Sequence, residues 1–120
     1  MNIETTLKEA MSIEGAIGVA LVDYESGMSM GSLGGGQFDL EVAAAANTEV
    51  VRAKTRALKA INLDDHIEDI LITLSGQYHL IRLMDRAGGS LFLYLALDRQ
   101  RANLALARHT LRRIEGDLEL

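Results

Sequence analysis

DLEVAAAANTEVVRAKTRALKAIN, residues 39–62, is the stretch that decides the fold. Ala43, Ala46, Val50, Ala53, Ala57, Ala60 and Ile61 recur at three- and four-residue spacing. At about 100° per residue they form one apolar stripe of a long helix. Leu40, Ala44, Asn47, Val51 and Leu58 form a second stripe beside it, which leaves Glu41, Ala45, Thr48, Glu49, Arg52, Arg56 and Lys59 for water. A surface helix normally carries a single apolar face. Two faces mean that one covers the protein's own sheet and the other meets something else, either a second chain or another helix of the same chain. The small residues on both would let backbones approach closely, and we expect a dimer. The Val50 stripe is expected to face the sheet and the Leu40, Ala44, Asn47, Val51 and Leu58 stripe to face the partner. Asp39 can cap the helix start, with Val42 rather than an acid at the third position. Asn62 can end the helix in the left-handed conformation.

Upstream of this helix, residues 2–12 read as a short helix with Ile3, Leu7, Ala10 and Met11 on one face. The apolar run at 16–22 has strand length and reads as a central strand buried on both sides. Gly18 inside it marks close approach of another backbone. A turn at 23–27 leads to a weaker strand at 28–33, near an edge, so the two form a hairpin. Gly34, Gly35 and Gly36 then break the chain. Downstream, strands are expected at 67–74, 78–84 and 90–97, joined by turns at 75–77 and 85–89, and a last helix at about 99–116. The order is α-β-β-α-β-β-β-α. Hairpin links between strands make the sheet antiparallel, and the class is α+β in one domain over residues 1–120.

Composition narrows the function. The chain has 120 residues, 48% of them hydrophobic, which fits one folded domain with a real core. It has no cysteine, so disulfides, thiolate nucleophiles and cysteine metal sites are excluded. Seventeen acidic residues against twelve basic ones give a net charge of −5, and there is no tryptophan. That is a poor footprint for nucleic acid. The arginines near the C-terminus and the cations of the long helix read as solvated faces. Residues 1–14 lack the apolar core of a signal peptide, and the longest apolar run, 91–97, is too short to span a bilayer, which takes about 20 residues. A soluble, cytoplasmic protein without membrane insertion is expected.

The ordered set of segments resembles the roadblock family, the dynein light-chain and bacterial GTPase-partner domains related to longin domains. Three segments carry the likeness. They are IEGAIGVALVDYESGM at 13–28, the alanine-rich helix after a glycine break, and IEDILITLSGQYHLIR at 67–82 followed by the Phe92-Leu93-Tyr94-Leu95 strand and the closing helix. The likeness covers nearly the whole chain, although no single motif is diagnostic. It implies a five-stranded sheet in the order 2-1-5-4-3, with the long helix on one face and the terminal helices on the other. It also implies dimers that pair their third strands and lay the long helices side by side. The interface residues expected here are Leu40, Ala44, Asn47, Val51 and Leu58 with Ile67, Asp69, Leu71 and Thr73. Members of the family act as non-catalytic partners of small Ras-like GTPases or as adaptors, and the family has no catalytic motif to carry over.

The residues that could carry chemistry read as structural. Gly31-Ser32-Leu33-Gly34-Gly35-Gly36 lacks the Lys-Ser or Lys-Thr of a phosphate loop and reads as a flexible connector. Asp64, Asp65, His66 and Glu68 read as a solvated turn rather than a metal site. His79 reads as a sheet-surface residue and His109 stands alone. The serines show no nucleophile elbow. Met28 and Met30 read as core packing. No catalytic residue, metal or cofactor is expected. The expected function is a non-catalytic homodimeric regulator or scaffold of a small Ras-like GTPase. The alternatives are a small-molecule sensing domain of the PAS or GAF type, or a purely structural adaptor subunit.

Overall fold

Three side chains of the Asx type start the three helices. Asn2 accepts a hydrogen bond from the Thr5 N–H, Asp39 from those of Glu41 and Val42, and Asn103 from that of Leu106. Each satisfies amide groups that have no partner within the helix. The computed structural model describes residues 1–36, 38–84 and 89–118. Its elements run α1 (Ile3–Met11), β1 (Ala16–Asp23), β2 (Met28–Gly34), α2 (Leu40–Ala60), β3 (Asp69–Thr73), β4 (Gln77–Met84), β5 (Leu91–Asp98) and α3 (Leu104–Asp117). The strands form a five-stranded sheet in the order β2-β1-β5-β4-β3. All four neighbouring pairs are antiparallel. This is the α+β class and the strand order expected.

The central strand β5 feeds both layers of core, because successive side chains point to opposite faces. Leu91, Leu93, Leu95 and Leu97 pack with Leu7 and Ala10 of α1 and with Ala107, Leu111 and Ile114 of α3. Phe92, Tyr94 and Ala96 pack on the other face with Leu40, Ala44 and Val51 of α2. The long helix thus has one face of the sheet and the terminal helices share the other. Gly18 does meet another backbone: a Cβ there would lie 2.7 Å from the Gly35 nitrogen. The glycine break is a packed crossing rather than a flexible connector, since Gly35 is buried and donates to the Ile17 carbonyl at 2.9 Å. Asn62, at φ 55°, ends α2 as expected.

The two stripes of α2 exist, but the sheet takes the one expected at a partner. Leu40, Ala44, Asn47 and Val51, expected at a partner, are buried against this chain's own sheet. Leu58 is half-buried on the same side. Ala46, Val50, Ala53, Ala57, Ala60 and Ile61, expected under the sheet, are exposed. The sheet takes the stripe with the larger apolar side chains and accepts two polar residues with it. Thr48, expected in water, is buried with its hydroxyl on the Ala44 carbonyl at 2.8 Å, and Asn47 is hydrogen-bonded to Tyr94. Bonded polar groups carry little burial penalty, so an apolar count alone misassigns the face.

Smaller corrections follow the same logic. Met28 and Met30 are exposed at 69% and 47%, because they lie on the edge strand β2. The last helix starts at Leu104, since the Asp98 carbonyl takes the N–H groups of Arg101 and Ala102 and its carboxylate takes that of Gln100. The third strand is shorter than expected, and Ile67 lies just before it. Of the expected turn at 85–89, residues 85–88 lie outside the described residues.

Candidate self-association surface

The sheet ends in two unlike edges. At β2 the ladder with β1 is interrupted by an irregularity between Leu21 and Val22. There the Ser29 hydroxyl takes up both the N–H and the carbonyl of Gly31, at 3.3 and 3.2 Å. Bulges and satisfied backbone groups blunt an edge against further pairing. At β3 the ladder with β4 is regular from Asp69↔Arg82 to Thr73↔Tyr78. It continues outward on both sides, with Leu83 donating to the Glu68 carbonyl and Leu74 to the Gln77 carbonyl. Antiparallel pairing alternates, so residues 68, 70, 72 and 74 bond to β4. The backbone groups of Asp69, Leu71 and Thr73 therefore point away from the sheet. These are the β3 residues that the sequence placed at an interface.

The uncovered stripe of α2 lies on the same flank. Arg52 donates through Nε to the Tyr24 carbonyl at 2.9 Å and through Nη2 to that of Glu25. Thr48 sits over Gly27. Both contacts fix that side of α2 on the β1–β2 hairpin. Val50 and Ala57 are about 140–200° around the helix from Thr48 and Arg52, and so face the β4–β3 side. Val42 and Ile61, at either end of the stripe, are 64% and 67% exposed. Ile70 of β3 and Phe38, ahead of α2, are partly buried against the α2-side core below. A row of small and apolar residues on a helix thus borders an open, regular strand edge.

The other face of β3 is held from inside. Arg82, 7% exposed, donates through Nε to Glu115 of α3 at 2.7 Å and lies 3.7 Å from Asp69. Arg108 of α3 grips the same Asp69 carboxylate with two nitrogens, at 3.1 and 2.9 Å. Two-pronged arginine contacts fix orientation as well as charge. Asp69 therefore has its carboxylate tied to α3 while its backbone faces the open edge. Arg82 and Glu115 were not singled out from the sequence, where a lone arginine within an apolar strand, at position 82, was the available signal; Arg108, read there among arginines on solvated helix faces, is instead paired with Asp69. His79 of β4 is half-buried between Phe38 and Tyr94. Its ring nitrogens meet Gln77 Oε1 at 2.7 Å and the Tyr94 hydroxyl at 3.2 Å. Burial pushes its pKa below the usual histidine value. Among the described residues, no three His, Cys, Asp or Glu side chains gather as metal ligands do, and no helix is long and apolar enough to cross a membrane.

A three-layered α+β domain with a five-stranded antiparallel sheet, one helix on one face and two on the other is a defined architecture, and solved structures share this fold. A Roadblock/LC7 domain from Streptomyces avermitilis matches with a TM-score of 0.81 at 10% identity, over 97% of this chain and 93% of that one. MglB of Myxococcus xanthus matches with a TM-score of 0.75 at 19% identity, over 93% of this chain and 84% of that one. The gliding protein MglB from Thermus thermophilus matches with a TM-score of 0.76 at 15% identity, over 93% of this chain and 82% of that one. No protein-family model matches the sequence, and no curated protein does. The chain has the roadblock fold, as the resemblance in its sequence implied.

Proposed function

We propose that this chain is a non-catalytic, self-associating regulator or scaffold of a small Ras-like GTPase. The observation that supports it most is the exposed stripe of α2 beside the regular edge of β3, on one flank of a roadblock fold. Two copies joined there would pair β3 with β3 through the outward groups of Asp69, Leu71 and Thr73. Their α2 helices would meet along Ala46, Val50 and Ala57. The interface is therefore assigned to the outer stripe of α2 and not to Leu40, Ala44, Asn47 and Val51, which this chain buries by itself. Small residues along the stripe allow the helix backbones to approach closely. The joined pair would present both α2 helices as one broad surface to the GTPase. The likeness to MglB structures supports the choice of a GTPase as partner within the range of roadblock functions.

Light scattering coupled to size exclusion tests the self-association, with a dimer expected at tens of micromolar. Leu71→Pro removes an N–H that β4 does not use, and edge positions of this kind tolerate proline. It should give a folded monomer. A wild-type chain that stays monomeric overturns the reading. For the partner, GTPases encoded beside the gene are assayed for binding in their GTP and GDP states, and a preference for one state is the expected result.

A further inference from the structure

The last turns of α2 overhang the sheet without filling the space below. Beyond Val51, α2 places Leu58 only half-buried, and the Thr55 hydroxyl turns back onto the Val51 carbonyl at 2.9 Å. Below lies a cleft of about 270 Å³ with Tyr24, Leu58, Ile67, Leu83 and Met84 among its walls. Its mouth is shaped by the chain as it leaves the helix. Leu63 donates to the Leu58 carbonyl and Asp65 to the Leu63 carbonyl, each at 3.0 Å, and the Asp65 carboxylate accepts the His66 N–H at 2.8 Å. Asp64, Asp65 and Lys59 all line the cleft. A second, more open hollow adjoins it, lined by Asp65, His66, Glu68 and Asp69. Leu63, which lines the cleft, stands 49% exposed.

Three properties define the occupant. The volume is below the ~300–1,000 Å³ of pockets that enclose drug-sized ligands, so the cleft suits a side chain better than a cofactor. The floor is apolar, and exposed apolar residues rimmed by polar ones mark sites of protein association. The charge is uneven: Asp64 and Asp65 line one end with Glu68 in the adjoining hollow, whereas Lys59 lines the cleft and Arg52 and Arg56 lie beyond Tyr24 and Thr55, so the acidic end favours a cationic neighbour. We propose that this cleft is a docking site for a partner peptide that inserts an apolar side chain beside a lysine or arginine. The cleft is built within one subunit and does not need the association through α2 and β3.

The test uses fluorescent synthetic peptides of three kinds, leucine with lysine, leucine with glutamate and serine with lysine, titrated into the full chain. The leucine–lysine peptide is expected to bind at least about tenfold tighter than either other. In ¹⁵N-labelled protein its shifts should centre on Leu58, Leu63, Asp65 and Leu83. Thr55→Phe fills the cleft without touching its charges and should weaken binding about tenfold. Asp64→Asn combined with Asp65→Asn should weaken it and flatten its salt dependence. Val50→Glu, on the outer stripe, should bind as the wild type does, which separates this site from self-association. Equal affinity for the three peptides, shifts centred elsewhere, unchanged binding by Thr55→Phe or lost binding by Val50→Glu overturns the proposal.

Discussion

Val50 and Val51 are neighbours in the chain and lie on opposite sides of a boundary: Val51 is fully buried between α2 and the sheet, whereas Val50 keeps 37% of its surface. About 100° of helix rotation separates the sheet from the uncovered flank. A glutamate at position 51 has no partner and no water. We expect Val51→Glu to cost about 3–5 kcal/mol, the range found when a buried charge is left unpaired, and to unfold much of the protein. Val50→Glu should keep the wild-type melting temperature of the isolated subunit and abolish association. Circular dichroism and light scattering on the two variants distinguish them, and the reverse pattern would sink the assignment of faces.

Arg82 joins β4 to α3 and to the edge strand. Arg82→Met keeps the length of the side chain and removes its charge, leaving Glu115 without this partner. The expected loss is about 2–3 kcal/mol in urea unfolding, below the ~3–5 kcal/mol of a fully buried pair because Asp69 keeps Arg108. Because Asp69 opens the pairing edge, the same variant should also weaken association at temperatures where it remains folded.

His79 gives the pH dependence a definite sign. Its folded pKa lies below the ordinary value of 6.5, from burial. The unfolded chain therefore binds the proton first as pH falls, and stability declines from about pH 6.5 downward until the folded form also protonates. Thermal unfolding between pH 7.5 and 5 should show that decline (a range set by the ordinary histidine pKa), and His79→Gln should flatten it. An unchanged slope in the variant assigns the effect to another group.

Gly18→Ala tests the crossing of the glycine break over β1. The new Cβ would lie 2.7 and 2.8 Å from backbone atoms of Gly35, which cannot rotate away as a side chain would. A loss of about 1–3 kcal/mol is expected from overpacking. Gly76→Ala, where a Cβ meets nothing within 4 Å, is the matched control and should change stability little.

The strand order, the helix cap at Asp39, the left-handed Asn62 and the close approach at Gly18 were legible because each depends on local chemistry or on a resemblance that spans the chain. The side of α2 that meets the sheet was not legible. Both stripes satisfy the same period, and the one the sheet takes brings in Asn47 and Thr48, whose burial is acceptable only because Tyr94 and the Ala44 carbonyl receive them. Nothing in the sequence near Asn47 names Tyr94. Met28 and Met30 alternate as core residues do, and only the position of β2 at the end of the sheet exposes them. Arg82 needed the fold as well, since Glu115 and Asp69 are far from it in the chain and near it in space.

The serine at position 29 has a consequence for stoichiometry. Strand-by-strand growth needs two receptive margins per subunit, one to join and one to be joined. Here the Ser29 hydroxyl engages both the N–H and the carbonyl of Gly31 beside an irregularity in the ladder, so β2 is the less receptive margin of the two. Under the proposed β3 pairing, joining is expected to stop at the pair rather than grow into a fibre, which light scattering across a concentration series checks.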